Sequence, residues 1–255
     1  MKLLFIGCVH GRFDIVQKQI EKIQPDLLVL LGDLQAFSSM EQMKLAKLPQ
    51  KYQKQGSFNQ FSSTTPILSI FGNHELPEHC QVHPHFIQQH FLVAGCSTIK
   101  FVKNSRQIIF HCISGITSTA QYNPFFLSTS NISNLSSSMT PHYIISHEWP
   151  SGVGKFDRKL IKKFGKLKGE NSQQVFKVSQ INQQLVWIAS HMHVNYEGWV
   201  FEQKQKIKFF GLNKCEFGGF KIIENGGNKS ELEDGLYWCM GGNEEEQIQM
   251  IYENE

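Results

Sequence analysis

Apolar residues in this chain gather in short runs that stop at polar, glycine-bearing corners. Leu3 to Gly7 (LLFIG) is the first such run, and residues 2–7 are expected to form a buried strand. Residues 13–23 (FDIVQKQIEKI) carry apolar side chains at 13, 15, 16, 20 and 23, the stripe of an amphipathic helix. Residues 26–31 (DLLVLL) form a second continuous run, so the chain opens as strand, loop, helix, strand. Further strands are predicted at Pro66 to Phe71, Gln107 to Ile113, 143–146 and Leu185 to Ala189. Residues 194–201, 206–212 and 218–223 read as additional strands, expected in a second sheet packed on the first. This order predicts an α/β fold with parallel strands, whose ligands bind beyond the carboxyl ends of the strands.

Length and composition narrow the class. The chain has 255 residues, 40% of hydrophobic types, enough for one large domain or two small ones. No run approaches the ~20 apolar residues that a membrane span needs. The opening MKLLFIG is too short for a signal peptide, so a soluble intracellular protein is expected. Six cysteines lie scattered at 8, 80, 96, 112, 215 and 239, with no C-x-x-C pair to suggest a zinc ribbon. The net charge of +3 is unevenly spread. Residues 224–255 hold nine acids and one lysine, a balance of −8 that leaves +11 on residues 1–223. A basic body suits a polyanion such as RNA, and it also fits an ordinary lysine-rich surface. The glycine-bearing acidic segment reads as a loosely ordered tail.

The corners are where the chemistry lies. Five strand ends carry metal-type ligands in order: Cys8-x-His10, Gly32-Asp33, Gly72-Asn73-His74, His147 and His191-x-His193. In an extended segment residues i and i+2 share a side, so Cys8 and His10 can reach one site, as can His191 and His193. Carboxylate, amide oxygen and imidazole suit divalent first-row metals, and a thiolate adds a preference for zinc or ferrous iron. A bridging carboxylate can hold two ions ~3.5–4 Å apart, the spacing used for in-line displacement at phosphorus. Asp33 is the natural bridge.

This ordered set resembles the calcineurin-like metallophosphoesterases, with their D-x-H, G-D, G-N-H-[DE], strand-end His and G-H-x-H motifs. A Cys in place of the first Asp marks, within that superfamily, the RNA lariat debranching enzymes. GDLQAF at 32–37, LPQKY at 48–52, SHEWP at 146–150, SHMHV at 190–194 and KFFGLNKC at 208–215 are each similar to segments of that family. The likeness runs discontinuously over about residues 1–223. It implies the four-layer α/β/β/α sandwich, as a domain over 1–223 followed by the acidic tail at 224–255. It further implies one divalent ion on Cys8, His10, Asp33 and His193, and a second on Asp33, Asn73, His147 and His191. The pair would be iron and zinc, or manganese. A hydroxide held by the ions would attack phosphorus while His74 assists departure of the 2′-oxygen. The Cys8 thiolate would tilt its pocket towards zinc or iron and away from magnesium. The implied substrate is the 2′–5′ branch linkage of excised intron lariat RNA, in mRNA processing. The implied location is the nucleus, with the cytoplasm as alternative. No membrane is implied, and no protein partner can be inferred.

Some segments depart from that pattern. Phe71 stands where the family has the first of two glycines, and Glu148 where it has Asp. A Ser/Thr/Asn-rich loop, Thr117 to Thr140, replaces the family's basic, Tyr-rich recognition segment, and no Lys or Arg occurs from Gln107 to Gly154. Phosphate neutralisation dominates RNA affinity, so the deficit bears on substrate. Residues 155–168 hold seven bases, Lys155, Arg158 and Lys159 among them, against Asp157 alone. Together with Tyr122, Phe125 and Phe126, which could stack on an unpaired base, they are candidate substrate contacts. Three other readings stay open: a phosphoesterase of another nucleotide or phosphoprotein substrate, a noncatalytic module keeping the fold, and a structural subunit using the acidic tail as a contact.

Overall fold

The computed structural model of the chain describes residues 1–46, 48, 52, 56–116, 139–150, 153, 185–202, 205–240 and 247–253. The first sheet takes β1 (Lys2–Ile6), β2 (Leu27–Leu31), β3 (Ile67–Ile70), β4 (His85–Gln88) and β5 (Phe91–Val93). The second takes β6 (Cys96–Lys103), β7 (Arg106–Ile113), β8 (Tyr143–Ser146), β9 (Val186–Ala189), β10 (Tyr196–Glu202) and β11 (Gln205–Gly211). After these come β12 (Phe220–Glu224), β13 (Asn228–Lys229), β14 (Gly235–Met240) and β15 (Gln247–Glu253). Helix α1 (Phe13–Ile23) follows β1, and the short α2 (Met40–Leu45) follows β2.

The first sheet runs β12-β1-β2-β3-β5-β4, and the second β10-β11-β9-β8-β7-β6-β14-β15, with β13 beside β7. β1, β2, β3 and β5 are mutually parallel, as are β7, β8, β9 and β11. All their carboxyl ends can therefore deliver loops to one edge of the sandwich.

Strand alternation sorts the apolar side chains into layers. Leu3, Phe5, Val29, Leu31 and Ile70 face Phe101, Phe110, Ile145 and Ile188 in a buried core between the sheets. Leu4, Ile6, Leu28 and Leu30 point the other way, onto Phe13, Val16 and Ile20 of α1. Trp187, Ala189, Ile207 and Phe209 line the outer face of the second sheet with Trp149 and Val153. Burial on both faces explains why β1 and β2 read as continuous apolar runs. The α/β sandwich is thus present as two facing sheets with α1 on the first. Among the described residues no helix lies on the outer face of the second sheet.

Two expectations need correction. Residues 218–223 do not join the second sheet: β12 lies antiparallel to β1, with Leu3 opposite Ile223. The acidic segment is not a loosely ordered tail throughout. A boundary at 223/224 cuts β12, and β14 continues the second sheet antiparallel to β6, with Leu236, Tyr237 and Cys239 buried. Acids sit at its flanks, while the run LYWCM supplies the apolar pattern of a strand. Among the described residues no helix is long and apolar enough to cross a membrane.

Candidate metal centre

The seven residues singled out as ligands all reach one cleft at the carboxyl ends of β1, β2, β3, β8 and β9. Cys8, His10, Asp33 and His193 place their ligand atoms within 4.8 Å of one another, and so do Asp33, His147 and His191. Asp33 belongs to both groups. Its Oδ1 lies 3.3 Å from His147 Nε2, and its Oδ2 lies 3.6 Å from His10 Nε2. The two carboxylate oxygens thus face different clusters. Asn73 Oδ1 sits 3.4 Å from His147 Nε2 and joins the second group.

The backbone is bent to make this convergence. His10, Asp33, His191 and His193 all adopt positive φ, between 48° and 58°. Such values are uncommon for residues other than glycine, and clusters of them mark functional sites. Hydrogen bonds hold the corners: His10 N–H donates to the Asp33 carbonyl at 2.7 Å, and Ser190 N–H to the His147 carbonyl at 3.2 Å. Gly72 explains the departure at Phe71. A Cβ at Gly72 would collide with Asp33 Oδ1, whereas Phe71 packs into the apolar layer under α1. The glycine the cleft requires is the one retained.

Neighbouring groups orient the ligands. His147 Nδ1 lies 2.7 Å from the Leu31 carbonyl, so Nδ1–H donates there and the Nε2 lone pair is left facing Asp33. At the first cluster the Gln35 side-chain amide nitrogen donates to His10 Nδ1 at 3.0 Å and fixes the orientation of that ring. Asp33 Oδ1 accepts from the backbone N–H groups of Asn73 and His74, both at 3.0 Å. Cys8 N–H donates to Ser190 Oγ at 2.8 Å, and Cys8 Sγ lies 3.0 Å from the same oxygen.

Sequence reasoning assigned no role to Glu75, which is fully buried. Its Oε1 accepts from Leu34 N–H at 2.7 Å and Gly72 N–H at 3.1 Å; its Oε2 accepts from Gln35 N–H at 3.0 Å. One carboxylate therefore staples the Asp33 corner to the Asn73-His74 corner. The acid after Asn-His was the available signal. Tyr52 was also missed. Its ring stacks on His10 at 4.9 Å and lies 4.4 Å from His74. Lys214 Nζ sits 5.3 Å from the Tyr52 ring, putting a cation beside the first cluster.

Electrostatics suit cation binding. Burial lowers the pKa of His10 to about 3 and of His191 and His193 to about 4, so all three are neutral at pH 7 with lone pairs available. Burial opposes ionisation of Asp33, but His147, His10, His74 and His191 around it outweigh burial and hold it below the usual carboxylate range. Burial, reinforced by Asp33, pushes the Cys8 thiol well above its ordinary value. Sγ is therefore a thiol until a cation displaces its proton. His10 and His193 present their Nε2 atoms 3.1 Å apart. Two imidazoles on one tetrahedral zinc-type ion, with ~2.0–2.1 Å bonds, stand roughly 3.4 Å apart. The residues present fit a pair of divalent ions.

Of the remaining candidates, His74 lies at the cleft, its ring 5.6 Å from that of His10. Lys155, Arg158, Lys159 and Tyr122 lie outside the described residues, as do Phe125 and Phe126.

Comparison with known proteins agrees with this geometry. A family model described as calcineurin-like phosphoesterase matches residues 1–217. The lariat debranching enzyme of Saccharomyces cerevisiae is 26% identical over 245 residues, covering 80% of this chain and 60% of that protein. That of Gallus gallus is 27% identical over 263 residues, covering 84% of this chain and 48% of that one. The Homo sapiens enzyme is 25% identical over 261 residues, with 84% and 47% covered. The chain thus spans about half to three fifths of the length of these curated relatives.

Proposed function

We propose, from the premise that this chain belongs to the calcineurin-like phosphoesterase family, that it is a metal-dependent phosphodiesterase opening the 2′–5′ branch linkage of lariat RNA. The observation that carries the reading is the Asp33 carboxylate set between Cys8, His10 and His193 on one side and His147 and His191 on the other. Calcineurin-like phosphoesterases use divalent metals. When bound here, such ions would polarise the phosphoryl oxygens and supply a hydroxide nucleophile at neutral pH. The Cys8 sulfur favours zinc or ferrous iron in the first cluster, with manganese as the alternative. His74 stands beside both His10 and Tyr52, where its imidazole can give a proton or hydrogen bond to the leaving 2′-oxygen. The backbone N–H bonds from Asn73 and His74 to Asp33 tie that imidazole to the centre. The lariat substrate is supported by Cys8 at the first motif and by relatives named as lariat debranching enzymes. Work in mRNA processing, in the nucleus rather than the cytoplasm, follows from the same reading.

One observation favours a second reading, a phosphodiesterase of smaller nucleotide substrates. No Lys or Arg occurs from Gln107 to Gly154, where an RNA-recognition segment would be wanted. Branched RNA and bis-p-nitrophenyl phosphate, assayed side by side with zinc, iron or manganese, decide between the two. Cleavage of both supports the debranching reading. Cleavage of the small diester alone moves the assignment to the second. Stoichiometric metal with no turnover of either defeats both.

A further inference from the structure

A second surface carries recognition chemistry of its own. β10 and β11 pair with Trp199 directly opposite Lys208 and Glu197 opposite Phe210. Opposite residues share a sheet face, and alternation adds Lys206 to it. Ile207 and Phe209 point the other way into the outer apolar layer. β12 ends the first sheet; Phe210 packs partly buried against the inter-sheet core and meets Lys221 of β12, while Trp199 and Lys206 stand exposed beyond it as a ledge.

The ledge interleaves rings and cations. Trp199 is 43% exposed, unusual for so large an apolar side chain. Lys206 Nζ stands 3.9 Å from its ring and Lys208 Nζ 4.9 Å. Lys221 Nζ lies 4.0 Å from the Phe210 ring and Lys208 Nζ 5.4 Å. Glu197, paired with Lys208, is the one carboxylate among these six residues, leaving the group two positive charges. Exposed cation–π contacts contribute little each, a weak reason to keep a tryptophan in water. An exposed aromatic face beside a net-positive group of lysines is what an unpaired base and its phosphate require.

We infer that this ledge binds single-stranded RNA running away from the metal cleft, with Trp199 stacking on a base and Lys206, Lys208 and Lys221 meeting phosphates. The naming of RNA rests on the reading of the cleft proposed above; the ledge itself does not. Lys208 precedes Lys214 by six residues, at most about 20 Å of extended chain, so ledge and cleft are close enough for one strand to touch both. Stacking tolerates any base, which suits flanks of variable sequence. The ledge also supplies cations that the Gln107–Gly154 stretch lacks.

The test uses the full chain and a linear, unbranched oligouridylate of about ten nucleotides, within the site sizes of known single-strand binders. Binding is read by fluorescence anisotropy at one low salt concentration, beside a duplex RNA of equal length. The wild type should prefer the single strand. Trp199→Ala should weaken it about tenfold, as expected for one lost base stack. Trp199→Phe should retain most of the affinity, and Glu197→Gln should tighten it. All three variants should hydrolyse bis-p-nitrophenyl phosphate at the wild-type rate, which shows an intact fold and centre. Undiminished binding by Trp199→Ala, or equal binding of duplex, overturns the ledge. Failure of the wild type to open branched RNA while the Trp199-dependent oligonucleotide binding persists would instead overturn the reading of the cleft and leave the ledge standing.

Discussion

Two side chains in the cleft have separable roles, and each gives a measurable outcome. The His74 backbone N–H anchors Asp33, while its imidazole stands beside His10 and Tyr52. His74→Ala keeps that N–H and removes only the imidazole. Turnover of either diester should fall by ~10²–10⁴, the usual worth of a positioned acid, while metal content stays unchanged; loss of metal would refute the assignment. Glu75 works through others. Above pH 8, where Glu75 is ionised, Glu75→Gln keeps one acceptor oxygen but sets an NH₂ against the N–H of Leu34, Gly72 or Gln35, a donor facing a donor. The Asp33 and Asn73 corners then loosen, and metal affinity should drop about 10–100-fold, as for other groups that orient ligands. Metal titration followed by elemental analysis checks it, with circular dichroism to show a retained fold. His74 was legible in the sequence because it follows an apolar strand inside an ordered motif series. Glu75 was not assigned a role although it follows Asn-His in the motif, because its work is to accept three backbone N–H groups, which ligand chemistry does not reveal.

The elements show where reading by pattern succeeds and where it stops. β2 and β8 lie at or within one residue of the expected runs, because strands buried on both faces are apolar throughout. β6 (CSTIKFVK) was passed over. Its inward Ile99 and Phe101 alternate with Thr98 and Lys100, and these polar side chains are themselves buried, so composition hides the strand. β14 was lost for another reason: the surrounding acids dominate a charge count, although Leu236 reaches the inter-sheet core beside Phe101. This makes the acidic segment part of the fold. Leu236→Ala should therefore cost about 2–5 kcal/mol, the range for a buried leucine, measured by urea unfolding. A truly appended tail would leave stability within ~0.5 kcal/mol.

At the scale of the whole molecule, the buried histidines set how the metal-free protein responds to acid. Burial depresses His10 to about 3 and His111, His191 and His193 to about 4, all below the ordinary value of 6.5. The folded state is then slower to take protons than the unfolded chain. The stability tied to these groups is complete above about pH 6.5 and is lost as pH falls towards 4. Glu75 runs the other way. Burial, with Asp33 adding to it, pushes its pKa up to about 8, so folding becomes less favoured as pH rises from its ordinary 4.5 towards 8. Four histidines oppose one carboxylate, and the histidines win between pH 6.5 and 4.5. Each contributes at most about 1.4 kcal/mol per pH unit, and His193, which is only partly buried, less. The melting temperature of chelator-treated protein should fall from pH 7 to pH 5. With metal added, the fall should be steeper, because bound ions stabilise at neutral pH and protons compete for Cys8 and the imidazoles as pH drops. His111 separates the two effects, since it is buried on β7 away from both ligand clusters. His111→Leu should flatten the acid limb of the metal-free protein while leaving metal affinity unchanged. An acid limb unaltered by that substitution would place the pH response wholly in the cleft.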